Sequence, residues 1–201
     1  MPTASRNAAG DDDMAIYSTT AQAGIDVNQV FYLDSLFPEY PAPPFLVGEL
    51  AWGTDGSEWV FVTSTVAVPA GGVCLVSAVP GQWLSSPTGG TVATAPTGQL
   101  IGVQGGSAGT NTVAALSTTQ TGSFYWLQRA GNCPNVSCAA ATTANTTPLH
   151  SVATVPGQVS AAGAGVGTTY QINGMVISQA AGSVAGPNTA VLNYPVVGAT
   201  N

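Results

Sequence analysis

Lysine is missing from this chain, and charge of either sign is scarce. Arg6 and Arg129 are the only arginines among 201 residues, and charged residues make up 5%, against about 25% in an ordinary soluble domain. No basic patch can be assembled from two arginines. That excludes a phosphate-binding surface for nucleic acid and a basic helix for an anionic membrane surface. His150 is the single histidine. It lies far in sequence from every acid, so no Ser-His-Asp system is expected. No apolar run long enough to span a bilayer escapes interruption by Gly, Pro or polar residues, so no transmembrane helix is expected. Met1 to Asn7 has no basic segment leading into an apolar core, so no secretory signal is expected.

The cysteines are few and odd in number: Cys74, Cys133 and Cys138. They cannot form a closed disulfide framework. Cys133 and Cys138 could bridge under oxidising conditions, but free thiols packed as small hydrophobes are the expected state. A zinc site from Cys74, Cys133, Cys138 and His150 lacks the rest of a zinc pattern. Asp11-Asp12-Asp13 lacks the spaced ligands of a calcium loop. No metal or cofactor is expected.

All nine acids fall at or before Glu58, so the net charge of −7 belongs to the N-terminal quarter. Beyond it the chain is close to neutral but not disordered in composition, since 45% of residues are hydrophobic and disorder couples low hydrophobicity to high charge. A surface with so little charge has weak protection against association, which suits an oligomer or a lattice.

Residues 1–46 read as an acidic, Pro-rich N-terminal arm. It carries Asp11, Asp12 and Asp13, then Val30-Phe31-Tyr32-Leu33, then four prolines within Pro38 to Pro44, which favour extended geometry. One short helix over Ile25–Leu36 is compatible with the arm. Residues 47–201 read as one β domain, with a subdivision near 118–122 as the alternative. Asp55-Gly56 between Glu49–Trp52 and Glu58–Thr63 marks a hairpin. In the second run Trp59 and Phe61 fall on one face and Val60 and Val62 on the other, which predicts a strand buried on both sides. Further strands are expected at Val73–Ser77, Gln99–Val103, Thr112–Leu116, Ser123–Gln128, Val152–Val155, Tyr170–Asn173, Met175–Ser178 and Ala190–Tyr194. Short strands with turn residues between them predict an all-β fold, an antiparallel β-sandwich or barrel. Glu49, Asp55 and Glu58 are close enough in sequence to raise a glycosidase carboxylate pair, but acids around a hairpin are ordinary turn and edge residues. Trp59 and Trp126 are expected in the core, and Trp83 is the tryptophan expected to reach an interface.

Gly48 to Val62, followed by Val66-Ala67-Val68-Pro69-Ala70-Gly71, resembles the opening of small structural proteins of tailed bacteriophages. Gly122 to Gly131, with its Trp126-Leu127-Gln128-Arg129-Ala130-Gly131, resembles their aromatic-Gln-x-x-Gly strand, and Val191-Leu192-Asn193-Tyr194-Pro195 their C-terminal strand. The likeness spans about residues 25–197 and lies in turns and strands, with no catalytic residue to carry over. It implies a capsid decoration (cement) protein on the external capsid surface of the virion, a homo-oligomer, often a trimer, whose partner is the major capsid protein. On that reading Phe31, Tyr32, Leu36, Phe37 and Tyr40 would anchor the arm on neighbouring subunits, and Asp11 to Asp13 would meet cations of the shell. The alternative is a phage fibre or receptor-binding module that binds host glycan.

Overall fold

In the computed structural model the described residues are Val27, 31–32, 43–64, 66, 68–69, 71–78, 82–89, 97–104, 123–140, 142–145, 148–161, 168–180 and 184–198. They form eleven strands and no helix: β1 Phe31–Tyr32, β2 Leu50–Trp52, β3 Glu58–Ser64, β4 Val73–Ser77, β5 Leu84–Pro87, β6 Leu100–Val103, β7 Ser123–Cys138, β8 Leu149–Val152, β9 Val159–Ala161, β10 Thr168–Ile177 and β11 Gly186–Val197. The all-β expectation is met. The strands belong to one sheet, antiparallel except where β3 meets β5 and β7 meets β9.

The pairings run in two closed circuits that share β7. The first half of β7 pairs with β3, and β5, β4 and β6 complete that circuit back to β7 through Val103 and Gln128. The second half pairs with β11, and β10, β8 and β9 lead back to β7 at Cys138. The changeover lies at Ala130, which faces Glu58 of β3 and Asn193 of β11. Gly131 follows with φ +92°, and a Cβ there would stand 2.9 Å from Ser57 Cα. Only glycine lets the two backbones pass so closely.

Strand alternation distributes the apolar side chains among three clusters. Val60, Val62, Cys74, Val76, Tyr125 and Leu127 fill the first circuit. Val73, Leu75, Ile101 and Val103 turn the other way, into the larger cluster with Cys133, Val136, Leu149, Tyr170, Ile172 and Leu192. The sheet that closes one circuit is therefore the wall of the other, and no division separates them among the described residues. Residues 118–122 lie outside those described. The third cluster covers the outer side of β3 and β7: Trp59, Phe61 and Trp126, overlaid by Val27, Phe31, Phe45 and Val47. Both faces of β3 are thus buried as expected, and Trp59 and Trp126 are core residues. Each fully buried side chain of this size contributes about 1.5–3 kcal/mol.

The Asp55-Gly56 hairpin forms, with Leu50 opposite Val60 and Trp52 opposite Glu58. Other expectations need correction. Phe31–Tyr32 is strand, not helix, paired to Phe124 and Ser123; ladder pairing and aromatic packing override local preference here. The expected strand at Val152–Val155 instead ends at Val152, because the chain turns toward Pro156-Gly157. Tyr170–Asn173 and Met175–Ser178 are one strand with a bulge between Asn173 and Met175. β7 runs on past Gln128 to Cys138 despite Pro134. A register shift between Asn188 and Ala190 falls at that point, and bulges are where a strand tolerates a missing N–H. β5 and β9 were not foreseen, one being Ser/Pro-rich and the other three residues long. Thr112–Leu116 lies outside the described residues.

Candidate functional site

Four side chains among the described residues carry full charge: Glu49, Asp55, Glu58 and Arg129. Glu49 accepts the Leu46 N–H at 3.0 Å across a tight turn. Asp55 accepts the Ser57 N–H at 2.9 Å. The Ser57 side-chain hydrogen bond is the largest cause of its lowered pKa, opposed by burial and reinforced by the Ser57 backbone. Both acids hold the β2–β3 hairpin and its approach, the ordinary use of carboxylates in turns.

Glu58 is different. It is 8% exposed and sits at the changeover of β7. Arg129 Nη1 lies 3.8 Å from its Oε1, and the Tyr194 hydroxyl donates to its Oε2 at 2.9 Å. The guanidinium carbon stands 5.5 Å from the centre of the Tyr194 ring, within cation–π range. Tyr194 has φ 47°, a left-handed conformation uncommon for a bulky residue. Its bond to Glu58 is the largest cause of its raised pKa, followed by the Glu58 charge and burial, with Arg129 opposing. One carboxylate, one guanidinium and one phenol thus tie β3, β7 and β11 where the circuits meet. The sequence held a signal for this: the one cation after residue 58 requires an anion once it is mostly buried, and Glu58 is the nearest acid in the chain.

His150 is buried on β8, between Ser160 of β9 and Gln171 of β10. Burial lowers its pKa. Among the described residues no carboxylate approaches it. The three cysteines are unbridged and buried. Burial pushes Cys74 and Cys138 up to about 12 and Cys133 up to about 11, so they remain protonated and unreactive at neutral pH. No three metal-ligating side chains gather among the described residues.

Of the arm residues, Phe31 and Tyr32 lie on β1. The Phe31 ring packs on the chain's own sheet, edge-on to Phe45 and Phe61 with centroids 6.1 and 5.9 Å apart. Asp11, Asp12, Asp13, Leu36, Phe37 and Tyr40 lie outside the described residues. Trp83 has φ 37° and is half-buried against the first-circuit cluster. Its indole lies over Gly48, where a Cβ would stand 2.2 Å from Nε1. Trp52 is the more exposed tryptophan, at 37%.

No protein-family model and no curated protein matches this chain. What the site can do must be read from its own surface. The outward side of β7, β10 and β11 presents Asn132, Pro134, Asn173, Val176, Val191 and Asn193, with Asn132, Val191 and Val176 in cross-strand register and no charge among the six. A shallow depression of about 240 Å³ opens on β10, lined by Pro148, Gln171, Asn173, Gly174 and Met175. None of these side chains is a nucleophile, acid or base. Among the described residues β1 has two residues and β2 three, each with one partner strand, and every other strand has at least two partners, though β10 beyond Asn173 pairs with β11 alone. Proteins commonly guard sheet edges with lysine. This chain has none, and most of its described strands have neighbours within the two circuits instead.

Proposed function

We propose that this protein is a structural component of a tailed-phage virion, a capsid decoration protein that binds the outer shell and braces contacts between major capsid subunits. The observation that carries the reading is a β body whose strands close into two circuits and whose described outer surface is almost free of charge. A soluble monomer gains from charge on its exposed faces. A lattice component gains from neutral faces that can be covered without desolvating ions. The short edges direct association to faces and loops and away from strand addition. The turn and strand motifs that resemble phage structural proteins support the same reading. Glu49, Asp55 and Glu58, which could have served hydrolysis, are engaged in turns and in the tie between circuits.

Val27, Phe31 and Phe45 are committed to the chain's own sheet, so the capsid-binding role of the arm rests on residues before Val27 and between Tyr32 and Pro43. Many weak contacts repeated over a shell would then add by multivalency. The test is binding of the full chain and of a chain lacking residues 1–26 to shells of the encoding phage, read by co-sedimentation. Saturable binding of the full chain, weakened by the truncation, supports the reading. Equal occupancy by both refutes the role of the acidic segment. Binding by neither refutes the decoration reading.

A further inference from the structure

Asn173-Gly174 is the only Asn-Gly step in the sequence, and the fold places it where it is chemically exposed. Asn173 pairs with Val196 and Met175 with Leu192, which leaves Gly174 at the bulge of β10, outside the register. Both residues are exposed, and both line the depression on β10. Gln171 Nε2 donates to Asn173 Oδ1 at 2.7 Å, a bond that draws electron density from the carbonyl carbon Cγ.

We propose that Asn173 is a site of spontaneous deamidation, which places a carboxylate on the uncharged face of β10 and β11. The Gly174 nitrogen attacks Asn173 Cγ. The new N–Cγ bond forms as Cγ–Nδ2 breaks, and the amide leaves as ammonia with the proton from the Gly174 nitrogen. Water then opens the five-membered imide at one of its two carbonyls, giving aspartate or isoaspartate. Water is the only co-reactant, and nothing is oxidised or reduced. A side chain on the attacking residue would obstruct the approach, and glycine has none.

The fold holds this labile step in place. Gly174 has φ +79°, and a Cβ there would stand 2.5 Å from Asn193 O. Position 174 therefore requires glycine on two counts. The aspartate product is accommodated, because the Gln171 amide then donates to an anion, a stronger bond than the one it replaces. The neighbouring Val176, Val191 and Asn193 carry no charge, so the face gains its first. This inference stands apart from the capsid reading and survives its failure.

The test incubates the full folded chain at mildly alkaline pH, with ion-exchange separation and peptide mapping by mass spectrometry. One acidic species should accumulate, with the mass change at Asn173 and a mixture of aspartate and isoaspartate. Asn173→Gln and Asn173→Ser, checked by circular dichroism, should abolish it. An acidic species that maps to another asparagine, or persists in both variants, overturns the proposal. So does a folded chain that stays unmodified while the urea-unfolded chain deamidates at Asn173, since the bulge would then protect the step.

Discussion

Replacing Phe45 with alanine removes a ring from the junction between the N-terminal segment and the β body. The ring meets Trp126 with centroids 5.1 Å apart, Phe61 at 5.4 Å and Phe31 at 6.1 Å, all edge-on. A fully buried Phe→Ala change costs about 3–5 kcal/mol. Phe45 is half-buried, which lowers that by roughly half, and the measured range already contains contacts such as its edge-on ring pairs. The expected loss is about 2 kcal/mol, or a fall in Tm of about 4–8 °C for a chain of this size. Urea unfolding followed by tryptophan fluorescence measures it, since Trp59 and Trp126 lie in the same cluster. By the same logic, removal of residues 1–46 strips Phe31 and Phe45 from the sheet and should destabilise it. A loss below about 0.5 kcal/mol for Phe45→Ala, the range of inert surface changes, would show that the N-terminal segment does not seal β3 and β7.

The other predictions concern the polar and titratable groups. Glu58→Gln and Arg129→Met should each cost about 1–3 kcal/mol, because each strands a mostly buried partner, and the double variant should lose less than the sum by about 1 kcal/mol; strict additivity in urea unfolding would contradict the tie between circuits. His150 has its pKa lowered from 6.5 by burial, so below that value the unfolded chain binds more protons than the folded one. Stability should be full above pH 6.5 and decline as pH falls toward the folded pKa; His150→Gln should flatten that decline, and an unaltered pH profile would refute the assignment. With thiols pushed up to about 11 or 12, none of Cys74, Cys133 and Cys138 should react with a thiol reagent at neutral pH until denaturant is added. Rapid labelling of the native chain would contradict their burial.

The hairpin at Asp55-Gly56 and the two-sided burial of β3 were legible because both are local: a turn dipeptide and a strict alternation of large apolar residues. β4 was legible for the same reason, with Pro69 to Gly72 before it. What escaped the sequence depended on distant partners. β5 reads as Leu-Ser-Ser-Pro and becomes strand because β4 and β3 flank it. The continuation of β7 through Gly131 and Pro134 violates strand propensity and holds because β11 lies alongside with a matching irregularity. Closure into two circuits through a shared strand has no signature in periodicity, which reports faces and not neighbours. The Glu58–Arg129–Tyr194 tie was half legible: scarcity of charge singled out Arg129, but pairing it with a tyrosine 136 positions from Glu58 requires the fold. Phe31 shows the same limit. Its aromatic character identified an anchor, and only the three-dimensional arrangement reveals that it grips its own sheet.

We have proposed that this nearly uncharged β body is a shell component, and a cryo-microscopy map of virions carrying the chain is the decisive measurement. Density matching the two-circuit body should stand on the outer capsid surface, repeated around symmetry axes and touching major capsid subunits. Density for this chain confined to the tail, or its absence from the particle, would contradict it.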